Sequence, residues 1–438
     1  METAVCEMFF IMGFVMIFLL LNKQNRVNGQ ICTFSGVMAA VLLYYFAVPA
    51  LVLYYRHKAA QSGGMFLSLI AEAEPFDIML ACLRVQVFVL FYYLTYRVFN
   101  NSKMKNFYVL SEHKFVKICR FLVMFTFLIG WGSFLVYIRA FGSINNLLFY
   151  ADYLRSFSNN AASVIPYFAS IMIIPARLIT VTPILILTVI NHEKRVAYLL
   201  MYKFIFVVSL IGAIMFSLVN AGKTLIITYF LFFTVPIMRK FVKRPWRLIV
   251  IFGLFLVPLI GYLDALFQFF QKGEFIVKQF SIMNYLGQFA HPYTNVLNVF
   301  GIINQSGLRF CRDFVTGVLN IIPGVNFQPS YEVTSYFYGG DLWKQIGGIP
   351  NDIITFGYIE MGLVGMVFVA VLLGIITGKI DRLFDSMGNK FAFNILKTTV
   401  IINFFCLVVN ADIISIVRNQ FLLTIPCVCL LYASKRTA

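Results

Sequence analysis

Apolar runs long enough to cross a bilayer recur along almost the whole chain, and no other feature restricts its fold so severely. They fall near 4–21, 31–55, 76–97, 116–138, 165–190, 198–219, 222–238, 247–267, 351–378, 393–411 and 414–433. In hydrocarbon each backbone N–H and C=O must be satisfied inside the protein, and runs this long and uniformly apolar do so as helices rather than barrel strands. Only 12% of the 438 residues are charged and 61% are hydrophobic, whereas soluble domains carry about 25% charge. The expected fold is therefore all-α and polytopic, with about eleven transmembrane helices.

Charge gives the expected orientation. Most of the 35 Lys and Arg residues sit in alternate connections: Lys23 and Arg26, Arg97 to Arg120, Lys194 to Lys203, Arg239 to Arg247, Lys379 to Lys397, and Lys435 with Arg436. Basic connections stay in the cytoplasm, which puts the N-terminus outside and the C-terminus inside. The net charge of +17 is then a topology signal, and a nucleic-acid partner is excluded as its explanation. The first run, Met8 to Leu21, lacks a basic leader and a cleavage site and is expected to remain as a helix. Seven of the eight cysteines fall in or beside helices. Cys311 is alone in the large loop, so no loop disulfide is expected. Four scattered histidines (His57, His113, His192, His291) argue against a bound transition metal, and Cys427-Val428-Cys429 has the wrong spacing for zinc.

Between Gln268 and Pro350 the apolar runs give way to Gly, Asn, Tyr and scattered charges. This divides the chain into N-terminal helices (1–267), one large outer loop with amphipathic helices (268–350), and C-terminal helices (351–438). Short turns would suffice to join helices, so a loop of this size is where recognition or chemistry is expected. Within it, Arg309, Arg312, Asp313 and Thr316 share one helical face while Phe310, Phe314 and Val318 share another. The polar face is expected to meet a substrate or water. Tyr331, Tyr336, Phe337, Tyr338 and Trp343 are read either as sugar-stacking rings or as an interfacial belt.

Charges inside the apolar runs are expensive. Arg84, Arg177, Lys223 and Arg418 all fall in outer halves, while the inner halves read as nearly charge-free. Cations at one depth suit a lipid-linked phosphate, through charge-assisted hydrogen bonds; snorkelling or pairing with Asp264, Asp352, Glu360 or Asp412 is the alternative. Three groups are candidates for a base: His291, which titrates near neutrality; Asp352, expected at the membrane mouth; and Glu360, two turns deeper. An acid at the position of Asp352 also complements a helix dipole.

The run Gly347-Gly348-Ile349-Pro350-Asn351-Asp352-Ile353-Ile354-Thr355-Phe356-Gly357, followed by Gly362 and Gly365, resembles the loop-to-helix junction of bacterial O-antigen polymerases of the Wzy type. Ile322-Pro323-Gly324 fits the same pattern. So does Phe141-Gly142-Ser143 followed by Tyr150-Ala151-Asp152-Tyr153-Leu154-Arg155, where the family often has an arginine. Asn220-Ala221-Gly222-Lys223 departs from it, with Lys where the family commonly has Arg. The resemblance implies a metal-independent, membrane-embedded glycosyltransferase of the C-type class, without cofactor, in the bacterial inner membrane. Its substrates would be undecaprenyl-pyrophosphate-linked oligosaccharides, and its partners membrane lipids and a chain-length regulator protein. Arg84, Arg155, Arg177, Lys223, Arg309, Arg312 and Arg418 would then bind substrate, with Asp352, His291 or Glu360 catalytic. An O-antigen ligase and a lipid-linked oligosaccharide flippase or transporter remain the alternatives.

Overall fold

A computed structural model describes residues 2–25, 34–61, 64–101, 108–150, 167–190, 196–219, 223–238, 255, 259, 261–270, 273–277, 281–319, 330–339, 349–386, 391–409, 411 and 421–436. Among them five helices are long and apolar enough to cross a membrane: Pro75–Asn100, Glu112–Ala140, Ile171–Ile190, Val196–Val219 and Ile353–Phe384. Shorter apolar helices lie at Cys6–Ile17, Val41–Tyr54, Leu225–Thr234, Phe393–Phe404 and Phe421–Ala433. The protein is an all-α membrane protein. Its described strands are two three-residue pieces, Tyr108–Leu110 and Ser434–Arg436, paired antiparallel. That pairing places the connection after Pro75–Asn101 beside the C-terminal tail. The expected span 247–267 lies mostly outside the described residues.

Small residues set the closest packing. In Gly374-Ile375-Ile376-Thr377-Gly378 the two glycines lie against the backbone of Tyr92 and Tyr96, where an added Cβ would come within 2.7 Å and 2.9 Å of carbonyl oxygens. Helices in lipid associate through such seams because no hydrophobic force separates them from acyl chains. Thr377 and Tyr92 exchange a 3.1 Å hydrogen bond along the same seam.

Two charges that the sequence assigns to the expected cytoplasmic connections are enclosed by the fold. Asp381 and Lys397 are both buried. The Asp381 carboxylate accepts from the Phe34 N–H, at 2.9 and 3.0 Å, and from the Tyr96 hydroxyl at 2.8 Å. Lys397 donates to the Phe384 carbonyl. An acid thus closes the N-terminal end of one helix and a base the C-terminal end of another, each matching the local dipole.

The expected outer loop is not a separate layer. Its helix His291–Leu297 is buried from Pro292 through Val296, and Tyr293, Val296, Met283 and Leu286 belong to the same core as the spanning helices. The Tyr293 hydroxyl donates to the Ile78 carbonyl at 3.1 Å. Seven residues carrying His, Thr and Asn give no span-like signal in sequence, yet they fill a hole between longer helices.

Candidate functional site

The expected unbroken ninth helix is broken. Ile353–Ser386 has non-helical backbone at Met361 and Gly362, the latter with φ +63°. In a straight helix Gly357 and Gly365 would stand about 12 Å apart. Instead a Cβ on Gly365 would lie 2.2 Å from the Gly357 carbonyl oxygen, and one on Gly357 would lie 2.9 Å from the Met366 Cα. The half 353–360 therefore doubles back on the half 363–386. At Gly357 and Gly365 the bend leaves no room for a side chain, and at Gly362 it requires a left-handed φ that favours glycine.

Two hydrogen bonds give the depth of this re-entrant half. Asp381 holds the Phe34 N–H, and Asp352 accepts from the Tyr45 hydroxyl at 2.9 Å. Along that helix Tyr45 lies about 16 Å from Phe34, whereas Gly362 lies about 28 Å from Asp381 along its own. Asp352 is therefore nearer the level of Asp381 than the bend is. From sequence it is expected at the membrane mouth with Glu360 two turns deeper; the bend puts Glu360, not Asp352, at the end farther from Asp381.

Asp352 is fully buried. One oxygen, Oδ1, caps the re-entrant helix, accepting from the Ile354 N–H at 3.0 Å and the Thr355 N–H at 3.1 Å as well as from Tyr45. The other, Oδ2, makes no hydrogen bond of ordinary geometry among the described residues; the Thr355 hydroxyl, likewise without one, is the side-chain group beside the carboxyl. Around it the backbone is tied down on both sides. Asn295 Nδ2 donates to the Pro350 carbonyl at 2.9 Å, and the Ala411 N–H donates to the Asn351 carbonyl. Asn351 and Asn295 are themselves buried, and Asn351 Oδ1 and Nδ2 and Asn295 Oδ1 have no partner among the described residues either. Buried polar atoms are nearly always paired, so this concentration marks a place built to hold water or a ligand with hydroxyl groups.

Glu360 closes the other end of the re-entrant helix. It is 4% exposed and faces Asp313, Arg309 and the backbone N–H groups of Cys311 and Asp313. Arg309 and Asp313 form a buried ion pair. The loop is anchored here by backbone: the Arg309 and Phe310 N–H groups donate to the Ile359 and Glu360 carbonyls at 3.2 and 2.8 Å. Breaking the helix frees those carbonyls from their own i+4 partners.

Arg84 belongs to the same assembly. Its guanidinium donates to the Val296 carbonyl at 3.0 Å and lies over the rings of Phe300 (4.4 Å) and Tyr358 (5.6 Å), the latter on the re-entrant helix. His291 opens the helix that carries Asn295, with its ring tilted against Phe66.

Of the expected site residues, Asp352, Glu360, Arg84 and Arg309 gather around the eight-residue helix 353–360 from different elements, with His291 on an adjoining helix. Arg312 is exposed, although it stands next to the buried Asp313. Arg177 begins a 3-10 turn near Tyr137 and packs with a separate core cluster. Lys223 opens the helix Lys223–Met238, but its side chain, like the whole of Arg155 and Arg418, lies outside the described residues. So does the turn at 347–348. Tyr336, Phe337 and Tyr338 are half-buried and pack around Val299, Ile302 and Ile359. Tyr45, Asn295 and Asn351 have no sequence signal of their own, being ordinary polar residues in or beside apolar runs. Among the described residues no group of three His, Cys, Asp or Glu converges as a metal site would. No family model, curated protein or solved structure matches the chain.

Proposed function

We propose that this protein polymerises undecaprenyl-pyrophosphate-linked oligosaccharide repeat units in the bacterial inner membrane. It transfers the growing chain onto the non-reducing end of a new lipid-linked unit. The reading includes eleven spans, an outer N-terminus and a cytoplasmic C-terminus. One observation carries it: a buried carboxylate oxygen without a partner, Asp352 Oδ2, among unpartnered amide groups of Asn295 and Asn351, on a helix that re-enters the membrane. The close approach of Gly357 and Gly365 gives a physical reason for the glycine pattern on which the family resemblance rests.

In this mechanism Asp352 takes the proton of the acceptor hydroxyl, and the asparagine amides orient the sugar that bears it. The hydroxyl oxygen attacks the anomeric carbon of the donor, the bond from that carbon to pyrophosphate oxygen breaks, and the electron pair leaves with undecaprenyl pyrophosphate. Cations steady the leaving charge. On this reading Arg84 and Arg309 hold the helix 353–360 through their protein contacts, and the pyrophosphate meets the other cations that the sequence singles out, Arg177, Lys223, Arg418 and Arg155.

A second reading, a lipid-linked oligosaccharide transporter, draws on the same broken helix, since discontinuous helices near mid-membrane are a transporter device. Purified protein in detergent separates the two. Given lipid-linked repeat units accumulated by a strain lacking this chain, a polymerase lengthens them without any closed compartment. Unchanged single units, with transbilayer movement in proteoliposomes, would establish the transporter instead.

A further inference from the structure

We infer that the segment 308–319 lies within the bilayer, with its apolar face against lipid acyl chains rather than in the water outside. The sequence pattern gives this segment a polar and an apolar face, and a solvated loop would turn the polar one outward. The fold does the reverse. Arg309 and Asp313 point inward and are buried against Glu360. Phe310 is 72% exposed, and Phe314 and Val315 are each 54% exposed. Three exposed aromatic and branched side chains on one short segment do not suit an aqueous surface.

What lies beside them identifies the occupant. Arg309 and Phe310 bind the carbonyls of residues 359 and 360, and the Cys311 sulfur lies 3.8 Å from that of Met361, so the segment sits at the bend from which the half 363–386 starts. On that half Leu363, Val364 and Phe368 are also exposed, Val364 at 69%. They belong to a membrane-crossing helix, so their outer face meets hydrocarbon, and the face of 308–319 continues it. The backbone fits the same setting. In lipid the carbonyls released by a helix break must find protein donors, and this segment provides them. Phe310 and Cys311 adopt left-handed φ values of 50° and 65°, a strain that turns the following helix inside out. Arg312, exposed on its first turn, has a stem long enough to carry its charge to the headgroups, which sets the level near the interface. The placement is independent of whether the protein polymerises or transports glycans.

The test reads the surroundings of a tryptophan in the full-length protein reconstituted in phosphatidylcholine. Phe314→Trp and Phe310→Trp are compared with wild type, and Asn304→Trp, on the exposed side of a neighbouring helix, serves as the water-facing control. The expected result is added emission at shorter wavelength than the control. Most of it should be lost when the acyl chains carry bromine, and it should resist soluble acrylamide. Quenching by acrylamide at both positions overturns the inference in favour of an aqueous loop. Quenching by neither agent overturns it in favour of a second protein copy covering the face. Two variants guard against a local packing fault, since the two side chains are exposed independently.

Discussion

At Asp352 a single carboxylate has two jobs, one oxygen for the fold and one without a protein partner. Asp352→Asn keeps an Oδ1 acceptor for Tyr45 and the helix N–H groups but cannot take a proton. A general base contributes about 10²–10⁴-fold, so turnover in the detergent elongation assay is expected to fall by about that factor while the melting temperature stays near wild type. Asp352→Ala is expected to lose folded protein as well, because a cap is worth about 1 kcal/mol and the Tyr45 hydroxyl is left buried without an acceptor. If Asp352→Asn elongates chains at the wild-type rate, Asp352 is a capping residue only. The Arg309–Asp313 pair makes a different prediction. Removing one member of a buried pair costs about 3–5 kcal/mol, whereas replacing both by apolar groups of similar volume is often neutral. Arg309→Ala is therefore expected to unfold at clearly lower temperature in detergent, and the double variant Arg309→Met, Asp313→Leu to recover much of the loss.

The bend in Ile353–Ser386 is the element that organises the site, and its glycines differ in kind. Gly365→Ala meets a backbone carbonyl 2.2 Å away, an atom that cannot swing aside. Gly362→Ala has open space but a φ of +63°, which costs about 1–3 kcal/mol of strain in a residue with a Cβ. Gly132→Ala, on the helix Glu112–Ala140, touches nothing within 4 Å and gains about 1 kcal/mol of helix propensity. The expected order of thermal stability is Gly132→Ala at or above wild type, then Gly362→Ala, then Gly365→Ala. Equal stability of the last two would mean that the halves are not packed as described. The element scale also shows a limit of hydropathy. A run such as 351–378 is apolar whether it crosses once or doubles back, because both forms satisfy the backbone inside the protein and differ only in one positive-φ residue and one close approach.

Across the whole molecule, the pairing of Tyr108–Leu110 with Ser434–Arg436 puts the connection after Pro75–Asn101 and the C-terminal tail on one side. In the proposed orientation that side is cytoplasmic, as the basic residues of both segments would have it. A fluorescent protein fused at the C-terminus is expected to fluoresce, and Asn304→Cys to react with an impermeant thiol reagent in intact spheroplasts more strongly than wild type, which carries the exposed Cys311. Labelling of Asn304→Cys only after permeabilisation would sink the assigned orientation.

Sequence alone determined that the chain is helical and membrane-embedded, because apolar length and backbone satisfaction in lipid are local requirements that each run meets by itself. It also drew attention to Asp352, Glu360 and Arg84, since a charge in an apolar stretch is costly wherever the chain folds, and to Arg309 through the polar face of its segment. Only the tertiary structure decided what those charges face. Arg84 stacks on Phe300 and Tyr358 instead of standing open, and Arg309 turns inward to Asp313. Asp352 lies nearer the level of Asp381 than Glu360 does because of one bend whose glycines meet across the fold. The segment 268–350, polar enough to read as an outer loop, packs into the core through Tyr293, Val296 and Asn295. Their partners lie some two hundred residues earlier in the chain, at Ile78 and Arg84, or near Pro350. Burial of a short polar helix depends on which distant groups accept its hydrogen bonds, and that information is held by the fold rather than by any single run of residues.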